Sequence, residues 1–198
     1  MKLREIIKLS AIMLSIDDVL NGDKIYDETF DITDEKSIIA DGSIEERNLN
    51  LLIRCFNLAY NELATDYFSL LHCEKIVVKN GSFNLNLLNQ NFHKIVKLSC
   101  NEEVCEKFEI YDNILYVKDG EYNIVYSFIP EFATLNTEIN NFNGSVTERI
   151  LVYGLNKEYC FISGLYSEAE SYKIKYEEAI KQALSFKRNI NLPKRRWL

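Results

Sequence analysis

The positions Leu3, Ile6, Ile7, Ser10, Ala11 and Leu14 recur at steps of three and four, a spacing that predicts a short amphipathic helix over residues 2–14. From Ser15 to Ala40 that period is lost. Asp17, Asp18, Asp23, Asp27, Glu28, Asp31, Asp34 and Glu35 are set against only Lys24 and Lys36, which predicts a long acidic loop over 15–42 with an edge strand near Ile25 and Tyr26. Ser43-Ile-Glu-Glu46 is a capping box, in which the serine oxygen and the glutamate carboxylate take up amides that a first helical turn leaves unpaired. A helix is therefore expected from there to about Leu71. Its buried stripe would be Leu49, Leu52, Ile53, Phe56, Tyr60 and Leu63, with Asn48, Arg54, Asn61 and Glu62 outside it.

The period then shortens to two. Lys75–Lys79 and Phe83–Leu85 flank Asn80-Gly81, and Ile114–Lys118 and Tyr122–Tyr126 flank Asp119-Gly120. Such dipeptides accept positive φ at both centres of a tight turn, so two hairpins are expected. With strands near 94–98 and 108–110 they predict a small antiparallel sheet that stops at Pro130. Ser145-Val-Thr-Glu148 and Ser167-Glu-Ala-Glu170 read as two further capping boxes, with Gly164 between them as a helix terminator. The expected αα-hairpin buries Ile150, Tyr153 and Phe161 from one arm and Tyr172, Tyr176, Ala179, Ile180, Ala183 and Phe186 from the other.

The predicted fold class is thus α+β: a bundle of about four helices, an inserted small antiparallel β-sheet domain and an extended carboxy-terminal tail. Expected boundaries are 1–72 for the first helical part, 73–131 for the β insertion, 145–187 for the helical hairpin and 188–198 for the tail.

Length and charge narrow the function classes. With 198 residues, 47% of them hydrophobic, the chain can bury one good core or a core with a satellite. A net charge of -7 argues against a body that grips nucleic acid, because phosphate contacts need a basic face. The segment 1–20 is broken by Lys2, Arg4, Glu5, Lys8, Asp17 and Asp18, so neither a signal peptide nor a membrane span is expected there. The odd count of five cysteines, Cys55, Cys73, Cys100, Cys105 and Cys160 in mostly apolar surroundings, predicts reduced, buried thiols of a reducing cytoplasm. The sequons at Asn80 and Asn143 are then turn chemistry.

Candidate chemistry is thin. Cys100 and Cys105, with His72 and Cys73, are the nearest approach to a zinc site, but the spacer is long and no second pair repeats it. A Cys-His nucleophile would need His72 or His93, and no glycine-rich elbow or electropositive helix start is there to activate a thiol. The glycines stand singly and form no phosphate-binding loop. The carboxylates of the acidic loop and of Glu102-Glu103 lack the spacing of a calcium loop. Tyr153, Tyr159, Tyr166, Tyr172 and Tyr176 lie at helical spacing and read as core rather than as base-stacking platforms. No catalytic residue, metal or cofactor is expected.

The last twelve residues reverse the charge of the chain. Lys187, Arg188, Lys194, Arg195 and Arg196 are basic, no acid accompanies them, and Leu192, Pro193, Trp197 and Leu198 lie in the same segment. Too poor in apolar content to fold alone, it still carries the Arg and Trp that dominate contact energetics, so it reads as a partner-binding arm.

Glu148–Cys160, Gly164–Ala169, Tyr176–Ile180 and the closing Arg195-Arg-Trp-Leu198 resemble the carboxy-terminal half of tailed-bacteriophage head-to-tail adaptor (connector) proteins, the family that includes tail tubular protein A-like chains. Leu51–Ala64 resembles their second helix, and the order of helix, acidic loop, helix, β insertion, helical hairpin and tail is also similar. One departure is the length of the acidic loop, Asp17 to Asp41. The resemblance implies a structural virion protein, assembled in the cytoplasm of a bacterial host, that forms a dodecameric ring under the portal. Such a ring links capsid to tail around the DNA channel, with a tail protein below it. The arm, Lys187 to Leu198, would dock on the portal, while DNA would pass without specific binding. Other classes remain open on the residues: a stopper or tail-tube component, a small cytoplasmic enzyme, or a regulator binding nucleic acid through the tail.

Overall fold

The computed structural model describes residues 1–30, 43–100, 103–140, 142 and 144–186. Its fold is α+β, with helices α1 (Leu3–Leu14), α2 (Asp17–Leu20) and α3 (Ile44–Glu62) first, seven strands in the middle, and α4 (Glu148–Ile162) and α5 (Tyr166–Phe186) last. The strands are β1 (Leu70–Val78), β2 (Ser82–Asn84), β3 (Phe92–Cys100), β4 (Glu103–Val104), β5 (Glu109–Tyr111), β6 (Ile114–Tyr116) and β7 (Gly120–Phe128).

Four of the helices form where the apolar period placed them, whereas the short α2 falls inside the segment expected to be loop. Leu3, Ile6, Ile7, Ser10 and Ala11 of α1 are buried, and Ser10 Oγ hydrogen-bonds to the Asn156 side chain, itself fully buried on α4. The whole expected stripe of α3 is buried, and its capping box is made, with the Glu46 N–H on Ser43 Oγ and the Ser43 N–H on the Glu46 carboxylate. Asn57, on the same helix, donates to the Ile53 and Ala133 carbonyls and accepts the Ala133 N–H at 2.7 Å, tying α3 to the segment after the sheet. Two Schellman closures end helices: Leu165 N–H to Cys160 O with Gly164 at φ 77°, and Ile16 N–H to Ala11 O with Ser15 at φ 54°.

The middle strands make two antiparallel sheets, ordered β1-β7-β3-β4 and β2-β6-β5. Their inner faces share a small core of Ile76, Val78, Leu85, Leu98, Leu115, Ile124 and Tyr126. A larger core unites α1, α2, α3, α4 and α5, and Phe128 packs against both. The Tyr126 hydroxyl donates to the Glu74 carboxylate at 2.6 Å and accepts the Gln90 N–H, bracing three segments of the β unit.

Several expectations need correction. The Asn80-Gly81 turn forms, with φ of 57° and 72° and a Lys79–Ser82 bridge, but its flanks part into different sheets, β1 beside β7 and β2 beside β6. Asp119-Gly120 closes no hairpin, since β6 and β7 belong to different sheets; the Asp119 carboxylate instead accepts the Gly81 N–H. The tight hairpin joins β5 and β6 through Asp112 and Asn113, at φ 49° and 58°. No strand forms at Ile25, which is buried as part of a turn. Helix α3 gives way at Glu62 to a π turn, Leu63–Tyr67, and the chain is extended from Leu70 instead of helical to Leu71.

Among the described residues, neither Ser145 nor Ser167 caps a helix. Helix α4 starts after Thr147, and α5 springs directly from the Schellman closure, with the Ala169 N–H on the Leu165 carbonyl. Phe161 is 62% exposed rather than buried. Only Cys55 and Cys160 are buried among the five free thiols; Cys73 is exposed, and Cys100 and Cys105 are half-buried at the sheet edge. Residues 31–42 of the acidic loop, and Glu102 and Asn143, lie outside the described residues.

Candidate docking surfaces

The arm assigned to partner binding, Lys187, Arg188, Leu192, Pro193, Lys194, Arg195, Arg196, Trp197 and Leu198, lies outside the described residues, directly after α5. What the structure supplies is the platform from which it departs. Helix α5 is about 31 Å long at 1.5 Å per residue. It packs on α4, with Tyr176 lying against Gly154. A Cβ there would stand 2.9 Å from the Tyr176 ring and 3.0 Å from Ala59, so the missing side chain brings α3, α4 and α5 together.

At the α4–α5 turn the helical stripe runs out and apolar side chains face solvent. Phe161, Ile162, Leu165 and Tyr166 are all exposed, and Phe161 and Tyr166 meet edge to face with centroids 5.9 Å apart. Together with Lys157, Glu158, Ala169, Glu170 and Lys173 these two rings line a cleft of about 380 Å³. Lys157 Nζ bonds to Glu62 at 2.7 Å and Glu158 at 3.0 Å, and sits 4.8 Å from the Tyr176 ring centre. Sequence reasoning assigned Phe161 and Tyr166 to core. The available signal was their position on either side of Gly164, where the chain reverses and no neighbouring helix can cover both.

A second cleft, of about 500 Å³, lies between the start of α4 and the far half of α5 and is flanked by Arg149 and Lys175. Arg149 Nε donates to the Tyr153 hydroxyl at 2.8 Å, and Lys175 lies over the Tyr172 ring. A third surface, the outer side of β1, carries Leu71, Cys73 and Val77 with Lys75 among them.

Chemistry-bearing groups do not converge. Among the described residues, no hydrogen bond joins His72 or His93 to a thiol, and no group of three or more His, Cys, Asp or Glu is placed to hold a metal ion. Burial pushes the Cys55 thiol up to about 12, with Glu158 adding to the shift. Burial and then Glu168 raise Cys160. Both shifts are opposite to those of an activated nucleophile. No described helix is long and apolar enough to cross a membrane.

The buried hydroxyls carry a pH prediction. Burial raises Tyr60 and Tyr176, and burial with the Glu74 hydrogen bond raises Tyr126 to about 12. A group whose folded pKa is raised supports folding fully below its unfolded value and loses that support as pH climbs to the folded value. The urea midpoint should therefore hold to about pH 8.5 and then fall steadily toward about pH 12. Among the described residues, Tyr176 Oη is buried without a hydrogen-bond partner. Tyr176→Phe should thus leave neutral stability equal or higher by up to about 1 kcal/mol. It should also flatten the alkaline slope by about one proton. Denaturation series at stepped pH test both, and an unchanged slope would contradict the assignment.

No family model matches the chain, and no curated protein matches it.

Proposed function

We propose that this chain is a structural subunit of a tailed-bacteriophage virion, a head-to-tail adaptor that forms a ring under the portal and joins capsid to tail. The observation that carries this reading is the pairing of two unlike exposed faces, the apolar hairpin tip of Phe161, Ile162, Leu165 and Tyr166 and the mixed outer face of β1 with Leu71, Lys75 and Val77. Closed rings are built by fitting one surface of a subunit to a different surface of the next, and such a chain needs two. The sheet order also leaves β1 at an edge, where a neighbour can add main-chain contacts.

Charge supports the same reading. A subunit of net charge -7, repeated around a ring, surrounds a channel that repels DNA and lets it slide. The basic arm seeks the opposite environment, an acidic groove on the portal. Ordering its twelve residues costs roughly 1 kcal/mol each in backbone entropy, so attachment depends on burying Trp197 and pairing several arginines.

The test is co-assembly. Mass measurement should find the free chain monomeric and find it in a ring when a preformed portal is added; failure to assemble at micromolar concentration counts against the adaptor role. Removing Leu192 to Leu198 should abolish portal attachment with an unchanged circular dichroism spectrum. Retained attachment would refute the docking arm.

A further inference from the structure

We infer that, in the free chain, the arm folds back along α5 and seats Trp197 in the cleft at the α4–α5 turn. This goes beyond the adaptor reading and does not rest on it, since the contact is within one chain and needs no portal.

Reach permits it. Trp197 lies eleven residues past Phe186, so an extended arm spans about 36 Å. From Phe186 back to Ala169, in the cleft, is seventeen residues of helix, about 26 Å. The remainder is enough for the chain to turn.

Charge selects this cleft over its neighbour. At this cleft Glu158 and Glu170 stand with Lys157 and Lys173, Glu62 is joined to Lys157, and both lysines are already matched: Lys157 with Glu62 and Glu158, Lys173 with Glu170. Spare negative charge remains for Lys194, Arg195 and Arg196. The larger cleft is nearer the start of the arm, but Arg149 and Lys175 on its rim outnumber the one carboxylate lining it, Glu178, and repel a basic segment.

The walls suit an indole. Phe161 and Tyr166 present a ring pair that is 62% and 68% exposed, and Ala169 at 6% exposure forms a small apolar floor. A tryptophan placed there covers both rings and buries 150–250 Å², roughly what a docked aromatic anchor contributes. Arginines beside it can stack on the Tyr166 face as well as pair with carboxylates. The arm is thereby kept from unspecific anionic surfaces until a better acidic site displaces it.

Trp197 is the sole tryptophan, so its fluorescence reports the arm directly, and excitation selective for indole excludes the twelve tyrosines. The full chain, alone in dilute buffer, should emit to the blue of a peptide of residues 187–198, with acrylamide quenching reduced several-fold and no dependence on protein concentration. Phe161→Ser combined with Tyr166→Ser should move emission to that of the peptide, and Glu170→Lys should shift it partway. All three side chains are exposed, so circular dichroism should be unchanged. Emission of the unaltered chain that matches the peptide overturns the inference. So does a blue shift that grows with concentration, which places the arm on a second copy, or one that survives the double substitution, which places it elsewhere.

Discussion

Arg4→Met should lower the stability of the chain by about 3–4 kcal/mol, the net of several charge-assisted hydrogen bonds lost and three buried or half-buried carbonyls left unpaired. Arg4 is 5% exposed on the inner side of α1. Its Nη1 donates to the Lys24 and Ile25 carbonyls, both at 2.9 Å, and its Nη2 to the Phe30 carbonyl at 2.7 Å and to Asn136 Oδ1 at 3.2 Å. One guanidinium therefore gathers the first part of the acidic loop against the body. Relief of a desolvated charge offsets part of the loss, which keeps the figure below the sum of the bonds. For a chain of this size the midpoint of thermal unfolding should drop by about 10 °C. Arg4→Lys should recover little, because an ammonium cannot span four acceptors arranged for a planar fork. The effect should also be local: amides and protease sites over 21–30 should open before the rest of the fold. A variant as stable and as protected there as the parent chain would show that the carbonyls find other donors.

Gly154→Leu should be nearly as damaging, by about 3 kcal/mol, for the opposite reason. Where Arg4 supplies atoms that the interior needs, Gly154 withholds them. Even a methyl at this position would stand 2.9 Å from the Tyr176 ring and 3.0 Å from Ala59. Gly154→Ala should cost less, about 1 kcal/mol, since the better helix propensity of alanine returns part of the overpacking penalty. A branched four-carbon side chain must instead expel Tyr176, which is 1% exposed and holds α5 to α3 and α4. Adding Tyr176→Ala to Gly154→Leu should restore part of the loss, so the two changes together should cost less than their separate sum. Strict additivity in urea denaturation would rule out the contact as the cause.

Both residues show what could be read from the sequence and what could not. The stripes of α1 and α3 follow from the 3.6-residue period, and every residue assigned to the α3 stripe is buried. Arg4 sits inside the α1 stripe, yet its role depends on loop carbonyls twenty or more positions away. Turn dipeptides set local φ but do not choose partners. Asn80-Gly81 bends as expected, while its strands pair with β7 and β6, reached only after Cys100. Asp112-Asn113 makes the actual tight hairpin because Asp and Asn tolerate the left-handed region, a weaker signal than a glycine. The arm was visible as a charge reversal, but the cleft was not, since two aromatic rings at a helix turn look like core until the reversal of the chain leaves them uncovered.

The route by which the chain enters and leaves the β unit has its own consequence. Leu70, its first strand residue, lies directly opposite Phe128, its last, so the two crossing points are one backbone spacing apart, about 5 Å. A module that begins and ends at adjacent points can be excised and bridged by a short linker, or exchanged for an unrelated one, without changing the path of the helices around it. The helical scaffold and the β module are thereby free to diverge at separate rates, one constrained by its interior and the other by whatever it must touch.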